Sequence, residues 1–473
     1  MTTASGRCHD RLFRPPTFRV SMTTQHDGLV INGGQALAGS VDVCGFKHSL
    51  VTVIAAAAAA HAPLTLHNIP PIAETEALLG FLERGGGSVV RGQASVRVDA
   101  SAFVPAPDST GLLDTVHGGV YLMPALLLKT GEARLPTGGG CRIGYGRGGV
   151  RPVEQYIDVL KRFGAKEVQL TDGMLAVRAD RLQGCDIDLL DYCSNRGLRS
   201  GSLYSGASKM ALLAAATAVG TSTLHNPYPK PDFLDLVEVL RLLGADIVSA
   251  PDGSLTVHGS QRLDPLSIPA DFTLPADLIE VVTWICAGAL LADTSVAVRG
   301  VEMDRALRGL APELEVLAAM GVDLEAGPDG LRVHRAEQLK PVHLVVGSHG
   351  VYSDSQPFFA LLAGSADGRS VLVDTVWKQR FQYADGLRRL GMRVTPSEGR
   401  LVVDGACRPH RAGERVHAVD LRAAAVLTLA AAMVPGRTTV TGTHHLRRGY
   451  SNLPGLLSAL GADVSQIAEG PKT

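Results

Sequence analysis

Residues 239–248 read VLRLLGADIV, and a phrase of the same build returns five more times: FLERGGGSVV at 81–90, VLKRFGAKEV at 159–168, VLAAMGVDLE at 316–325, GLRRLGMRVT at 386–395 and LLSALGADVS at 456–465. Each holds the end of an amphipathic helix, with apolar positions three and four apart, then a glycine, then the start of a strand. The glycine suits the left-handed position just past a helix end, where a side chain is strained. Gly86, Gly164, Gly244, Gly321, Gly391 and Gly461 follow one another at intervals of 78, 80, 77, 70 and 70 residues. Such near-constant spacing marks one structural unit used six times.

Working outward from the glycines, TDGMLAVRA, PDGSLTVHG, GPDGLRVHR and SEGRLVVDG each place turn residues before an alternating strand, which predicts hairpins. Upstream of each unit lies a more apolar helix followed by a strand: VTVIAAAAAAHAPLTLHNI, YLMPALLLKTGEARLP, MALLAAATAVGTSTLHN, VVTWICAGALLADTSVAVRG, FFALLAGSADGRSVLVD and VLTLAAAMVPGRTTVTG. Helices apolar all round are buried helices. Units of this size are too large for a solenoid and too few for a propeller, so three per domain in two domains is the economical arrangement.

Composition agrees. A chain of 473 residues suits two domains. With 45% hydrophobic and 19% charged residues and a formal net charge of -1, there is no mark of disorder and no basic surface for nucleic acid. The seven cysteines, at 8, 44, 141, 185, 193, 286 and 407, form no CxxC pair and no metal-ligand spacing, which fits reduced thiols in a cytoplasm. The longest apolar stretch, Leu50 to Ala60, is about half the length a membrane span needs. Residues 1–27 lack periodicity and a signal-peptide core, and read as a flexible extension.

Six such units, from about Gly28 to Ala468, resemble the enolpyruvyl transferase family. The resemblance implies an α/β fold of two inside-out α/β barrel domains, each of three repeated units with sheets outside and helices within. The chain of that family starts in one domain, builds the other and returns. The implied domains are 28–46 plus 277–468, and 47–276, with crossings near Gly45 to Lys47 and within Ser267 to Asp277.

Enolpyruvyl transfer needs cations to hold phosphoenolpyruvate, an acid for its methylene carbon, a base for the acceptor hydroxyl, and shelter from water. In LPTGGGCRIGYGRGGVRPVEQY, residues 135–156, Cys141 sits in a glycine-dense loop with Arg142, Arg147 and Arg151 nearby. The stretch resembles the cysteine loop of the branch acting on UDP-N-acetylglucosamine, which implies Cys141 as general acid and Arg151 as a phosphate-binding arginine. By the same resemblance Lys47, in CGFKHSL, is a point charge on phosphate, and Asp354, in VYSDSQPFF, takes the acceptor proton. Arg380 in VWKQRF, Asp420 and Arg422 in VDLRAAA, and Arg448 in LRRGY match further family positions in order. Lys47, Arg151, Arg380, Arg422 and Arg448 are thus expected to hold one phosphate and one carboxylate, for which arginine forks are well shaped. The implied mechanism is addition, with Cys141 protonating C3, then elimination of phosphate. No metal or other cofactor is expected.

The shikimate-using branch lacks the cysteine loop. Pro152, Val153 and Glu154 resemble a uracil frame, and Ser205, Gly206 and Ala207, in LYSGASK, a phosphate-facing turn. Four departures from the cell-wall enzymes stand out. His48 replaces an asparagine that meets the amino sugar, and His117, in TVHGGVYL, an arginine. Tyr121 replaces a tryptophan, and nine residues rather than four separate Cys141 from Arg151. In kind these changes are similar to the uridine monophosphate enolpyruvyl transferases of the nikkomycin and polyoxin pathways, which modify the ribose 3′-hydroxyl. A mononucleotide must then bind deeper than the cell-wall substrate does, because its ribose would otherwise stop short of Cys141. Protonated His48 is expected to serve as a second cation beside Lys47. UDP-N-acetylglucosamine remains the alternative acceptor, and a ligand-binding paralogue without turnover the alternative of another class. RNA 3′-phosphate cyclases share a related repeat, but the net charge argues against an RNA surface.

Overall fold

The computed structural model of the chain describes residues 26–106, 109–141, 143–144, 151–260, 262–264 and 270–468. Among the described residues there are six sheets, one for each repeat. All six marker glycines take the left-handed conformation, with φ from 84° to 108°. At Gly244 a Cβ would lie 2.0 Å from the Asp264 carbonyl oxygen, so backbone crowding adds to the dihedral requirement.

Four of the sheets repeat one plan. In the third repeat, Thr221–His225 runs parallel to Asp186–Asp188 on one side and antiparallel to Leu255–His258 on the other, with Asp246–Ser249 completing the hairpin. The expected hairpins fall where the turn residues stand: Glu167–Thr171 with Met174–Arg178, this pair, Leu324–Gly327 with Gly330–His334, and Arg393–Ser397 with Arg400–Asp404. The last repeat differs, since only Asp463–Ala468 follows Gly461. The N-terminal strand His26–Gly33 supplies the missing partner, antiparallel to both Asp463–Ala468 and Gly436–Thr441. Its first two residues, 26 and 27, lie within the segment read as a flexible extension; residues 1–25 are outside the described residues.

The helices expected to be buried are buried, three to a half. Lys47–Ala59, Met123–Thr130 and Tyr204–Thr217 touch one another, as do Leu278–Leu291, Gln356–Ser365 and Leu421–Met433. Strands such as Thr221–His225 alternate between exposed and buried positions, so the sheets turn one face to solvent. Helices therefore fill each half and sheets coat it, the inside-out arrangement. Side chains such as Trp284, Phe358 and Phe359 are fully buried, each contributing about 1.5–3 kcal/mol. No described helix is long and apolar enough to cross a membrane.

Buried apolar side chains form two cores. One runs from Leu50 to Leu274. The other takes Leu29 to Phe46 and Ala276 to Ala462, together with Cys141 and Ile143 from the glycine-rich loop. Between the cores the chain passes twice, side by side: Phe46 N–H donates to Pro275 O at 2.7 Å and Asp277 N–H to Cys44 O at 2.8 Å. Asp277 also caps the helix that follows it and accepts from Lys47 N–H at 3.2 Å. The crossing therefore fixes where Lys47 stands.

Candidate active site

A cavity of about 200 Å³ lies between the two halves, and its walls come from both. Lys47 and His48 open the first buried helix, and the His48 ring packs at a tilt of 35° against Phe46 with centroids 5.2 Å apart. Cys141 reaches the cavity through Gly139 and Gly140, both left-handed at φ 75° and 74°. A Cβ at Gly139 would meet the Thr115 backbone at 2.5 Å, so only glycine lets the loop lie so close. Cys141 as a residue is 7% exposed; its sulfur accepts from Leu421 N–H at 3.4 Å and faces Arg448 Nη1 at 3.9 Å. Arg151 Nε donates to Cys141 O at 3.2 Å, and its guanidinium lies 5.9 Å from the Trp377 ring centre.

Asp354 also lines the cavity, just before the helix Gln356–Ser365. Arg380 grips it with two bonds of 3.0 Å, and Arg422 Nε adds a third at 3.0 Å. Burial would raise this carboxyl, but the two guanidinium charges outweigh it and hold Asp354 well below the usual carboxylate range. Arg422 is 1% exposed and set back behind Asp354; Asp420, which caps its helix, accepts from Arg422 N–H at 2.8 Å. Arg380 Nε and Arg422 Nη1 are buried with no hydrogen-bond partner among the described residues. Donors buried in this way invite an anion.

Arg448 crosses from the C-terminal half. Its Nε donates to Glu74 Oε1 at 3.2 Å and its Nη2 to Thr115 O at 2.9 Å, while Lys47 Nζ shares the same Glu74 oxygen at 3.0 Å. Four of the five expected cations are thus already matched to a carboxylate, two to Asp354 and two to Glu74. Sequence reading passed over Glu74, whose only signal is an acid in the first turn of Ala73–Arg84. It also passed over Lys209, although LYSGASK was in view, and its ion-pair partner Asp232; both are buried in the cavity wall.

Among the acceptor residues, His48, His117, Tyr121, Pro152, Ser205 and Gly206 line the cavity. Val153, Glu154 and Ala207 do not. Val153 and Ala207 pack into a core, and the exposed Glu154 turns its carboxylate onto Val153 N–H at 2.9 Å, capping its own helix. Tyr156 and Gln155 take the places on the wall that Val153 and Glu154 were expected to hold. The expectation of a charged His48 is corrected as well: burial lowers its pKa, against the pull of Asp354 and Asp232. His117 is held well below the usual histidine range by burial and then by Arg151, so it too is neutral at pH 7. Arg142 and Arg147 fall outside the described residues. Among the described residues no cluster of His, Cys, Asp or Glu is placed to hold a metal ion.

Cations from both halves, a sheltered thiol and a carboxylate around one cavity are what enolpyruvyl transfer asks for. The family model for EPSP synthase (3-phosphoshikimate 1-carboxyvinyltransferase) matches residues 31–457, and the chain belongs to that family. It is an enolpyruvyl transferase. Its structure is similar to the crystal structure of the enolpyruvyl transferase NikO from Streptomyces tendae, with TM-score 0.88 and 45% identity over 94% of this chain and 100% of that one. UDP-N-acetylglucosamine 1-carboxyvinyltransferase 3 of Caldanaerobacter subterraneus subsp. tengcongensis is 32% identical over 441 residues, 93% of this chain and 99% of the relative. EPSP synthase from Acinetobacter baumannii, at 20% identity and TM-score 0.69 over 93% of this chain and 100% of that one, shares the fold.

Proposed function

We propose that the enzyme moves the enolpyruvyl unit of phosphoenolpyruvate to the 3′-hydroxyl of uridine monophosphate, releasing phosphate, in the cytoplasm and in nucleoside antibiotic biosynthesis. Cys141 protonates C3 as the acceptor oxygen attacks C2 and Asp354 takes the hydroxyl proton; the resulting ketal then loses one C3 proton and breaks its bond to phosphate, which leaves the enol ether. Lys47, Arg151, Arg380 and Arg448 hold the phosphate and carboxylate, and Arg422, expected among them, adds its charge from behind Asp354. The observation that carries the chemistry is the unpartnered buried Nε of Arg380, a residue of the cavity wall that grips Asp354. An incoming anion satisfies that donor and loosens the grip on Asp354, so the base gains strength only when phosphoenolpyruvate is bound.

Two features favour a monophosphate acceptor. His117 is neutral where the amino-sugar branch has arginine, so the site carries one charge less toward a diphosphate. His48 offers one donor and one acceptor in a geometry unlike that of an asparagine amide, which weakens recognition of an N-acetyl group. The 45% identity to NikO against 32% to the amino-sugar enzyme points the same way. Carbon-coupled NMR of the product tests the assignment: the enol ether is expected on the ribose 3′-oxygen, and attachment anywhere else refutes it.

A further inference from the structure

Asp232 is the second residue of the helix Pro231–Leu242 and 1% exposed, yet it lines the cavity. Its Oδ2 is paired with Lys209, itself buried in the helix Tyr204–Thr217. Its Oδ1 is buried and has no hydrogen-bond partner among the described residues. An ionised oxygen left in that state is costly, so it calls for a donor that arrives from the cavity. Burial opposes its charge, but the ammonium of Lys209 keeps the carboxyl below its ordinary range, so it is an acceptor only.

The position of that oxygen relative to the chemistry narrows what the donor is. His48 and Tyr228, both on the cavity wall, each feel the charge of Asp232 and of Asp354. The two carboxylates therefore flank one small region. One takes a proton from the reacting hydroxyl, and the other is left to accept from a neighbouring group on the same molecule. On a ribose whose 3′-oxygen reacts, the neighbour is the 2′-hydroxyl, a donor.

We propose that Asp232, held ionised and oriented by Lys209, reads the hydroxyl vicinal to the one that reacts, so that the enzyme takes ribonucleotides and rejects 2′-deoxyribonucleotides. The inference rests on the uridine monophosphate reading above. Asp232 is a specificity residue and Lys209 a positioning residue; neither transfers a proton in the reaction.

The test is phosphate release from phosphoenolpyruvate with uridine monophosphate and with 2′-deoxyuridine monophosphate, compared as kcat/KM. Loss of a hydrogen bond to a charged group predicts about a 10- to 100-fold preference for the ribonucleotide in the unaltered enzyme. Asp232→Ala is expected to bring that ratio close to one by lowering only the ribonucleotide value. Because Asp232→Ala strands Lys209, the double variant with Lys209→Met is measured alongside and is expected to show the same collapse. Equal turnover of the two nucleotides by the unaltered enzyme overturns the proposal while leaving the acceptor assignment intact. A preference that survives in both variants also overturns it, since another group then reads the 2′-hydroxyl. Absence of turnover with uridine monophosphate overturns the acceptor assignment and this proposal together.

Discussion

Asp354 and Arg380 meet as a two-point fork, with Nη1 donating to Oδ2 and Nη2 to Oδ1, each at 3.0 Å. The fork joins the residue expected to act as base to a residue expected to bind substrate. Asp354→Ala removes the acceptor of the hydroxyl proton, and turnover is expected to fall by roughly 10² to 10⁴ with phosphoenolpyruvate affinity kept or improved. It also leaves two buried guanidiniums short of a partner, which costs about 3–5 kcal/mol of stability in the absence of an anion. Steady-state kinetics and thermal melts with and without phosphoenolpyruvate check both effects. Near-normal turnover would assign the proton to another group.

The six-fold glycine spacing marked the repeats and their helix ends, because a left-handed position after a helix tolerates little but glycine, the turn residues marked the hairpins, and the helix-filled halves came from the family resemblance. The N-terminal strand that completes the last repeat was not legible, since a partner more than 400 residues away leaves no local pattern; Asn32 pairs with Asp463. Within the site, Cys141, Lys47, Asp354 and the arginines stood out through their resemblance to a known family. Glu74 and Asp232 did not, because a single acid in the first turn of a helix looks like any favourable charge at a helix start. Only the fold shows that these acids face inward and hold cations. Likewise, burial decides the charge of His48, and burial cannot be read from one letter.

Cys141 is sheltered but lines the cavity, with Arg448 beside its sulfur at 3.9 Å. An epoxide bearing a phosphonate enters the same cations as phosphoenolpyruvate and meets the thiol. Fosfomycin is therefore expected to add covalently to Cys141 and to stop turnover, with phosphoenolpyruvate protecting against it. Peptide mass spectrometry locates the adduct; modification of another cysteine with activity intact would remove Cys141 from the mechanism.

Glu280 is buried in the helix Leu278–Leu291, where burial and then the charge of Asp277 push its carboxyl up to about 8. Its pKa is raised on folding from an ordinary 4.5, so its contribution to stability is fully present below pH 4.5 and is lost as pH rises toward 8. Glu280→Gln keeps an oxygen for the Trp284 Nε1–H at 3.3 Å and cannot ionise. The variant is expected to melt higher than the unaltered enzyme at pH 8 and alike at pH 5. Equal melting at both values would show that Glu280 does not titrate in this range.

The acceptor is settled most directly by phosphate release from phosphoenolpyruvate against uridine monophosphate, UDP-N-acetylglucosamine and shikimate 3-phosphate, in the unaltered enzyme and in His48→Asn. Release with uridine monophosphate, little with the other two, and impairment by His48→Asn is the expected result. Discrimination of roughly 10⁴ is what a site built for one polar pattern imposes on another. Because burial keeps His48 neutral, the uridine monophosphate rate owes nothing to its titration between pH 7 and 8. Equal or faster release with UDP-N-acetylglucosamine would contradict the assignment and place the enzyme in cell-wall synthesis.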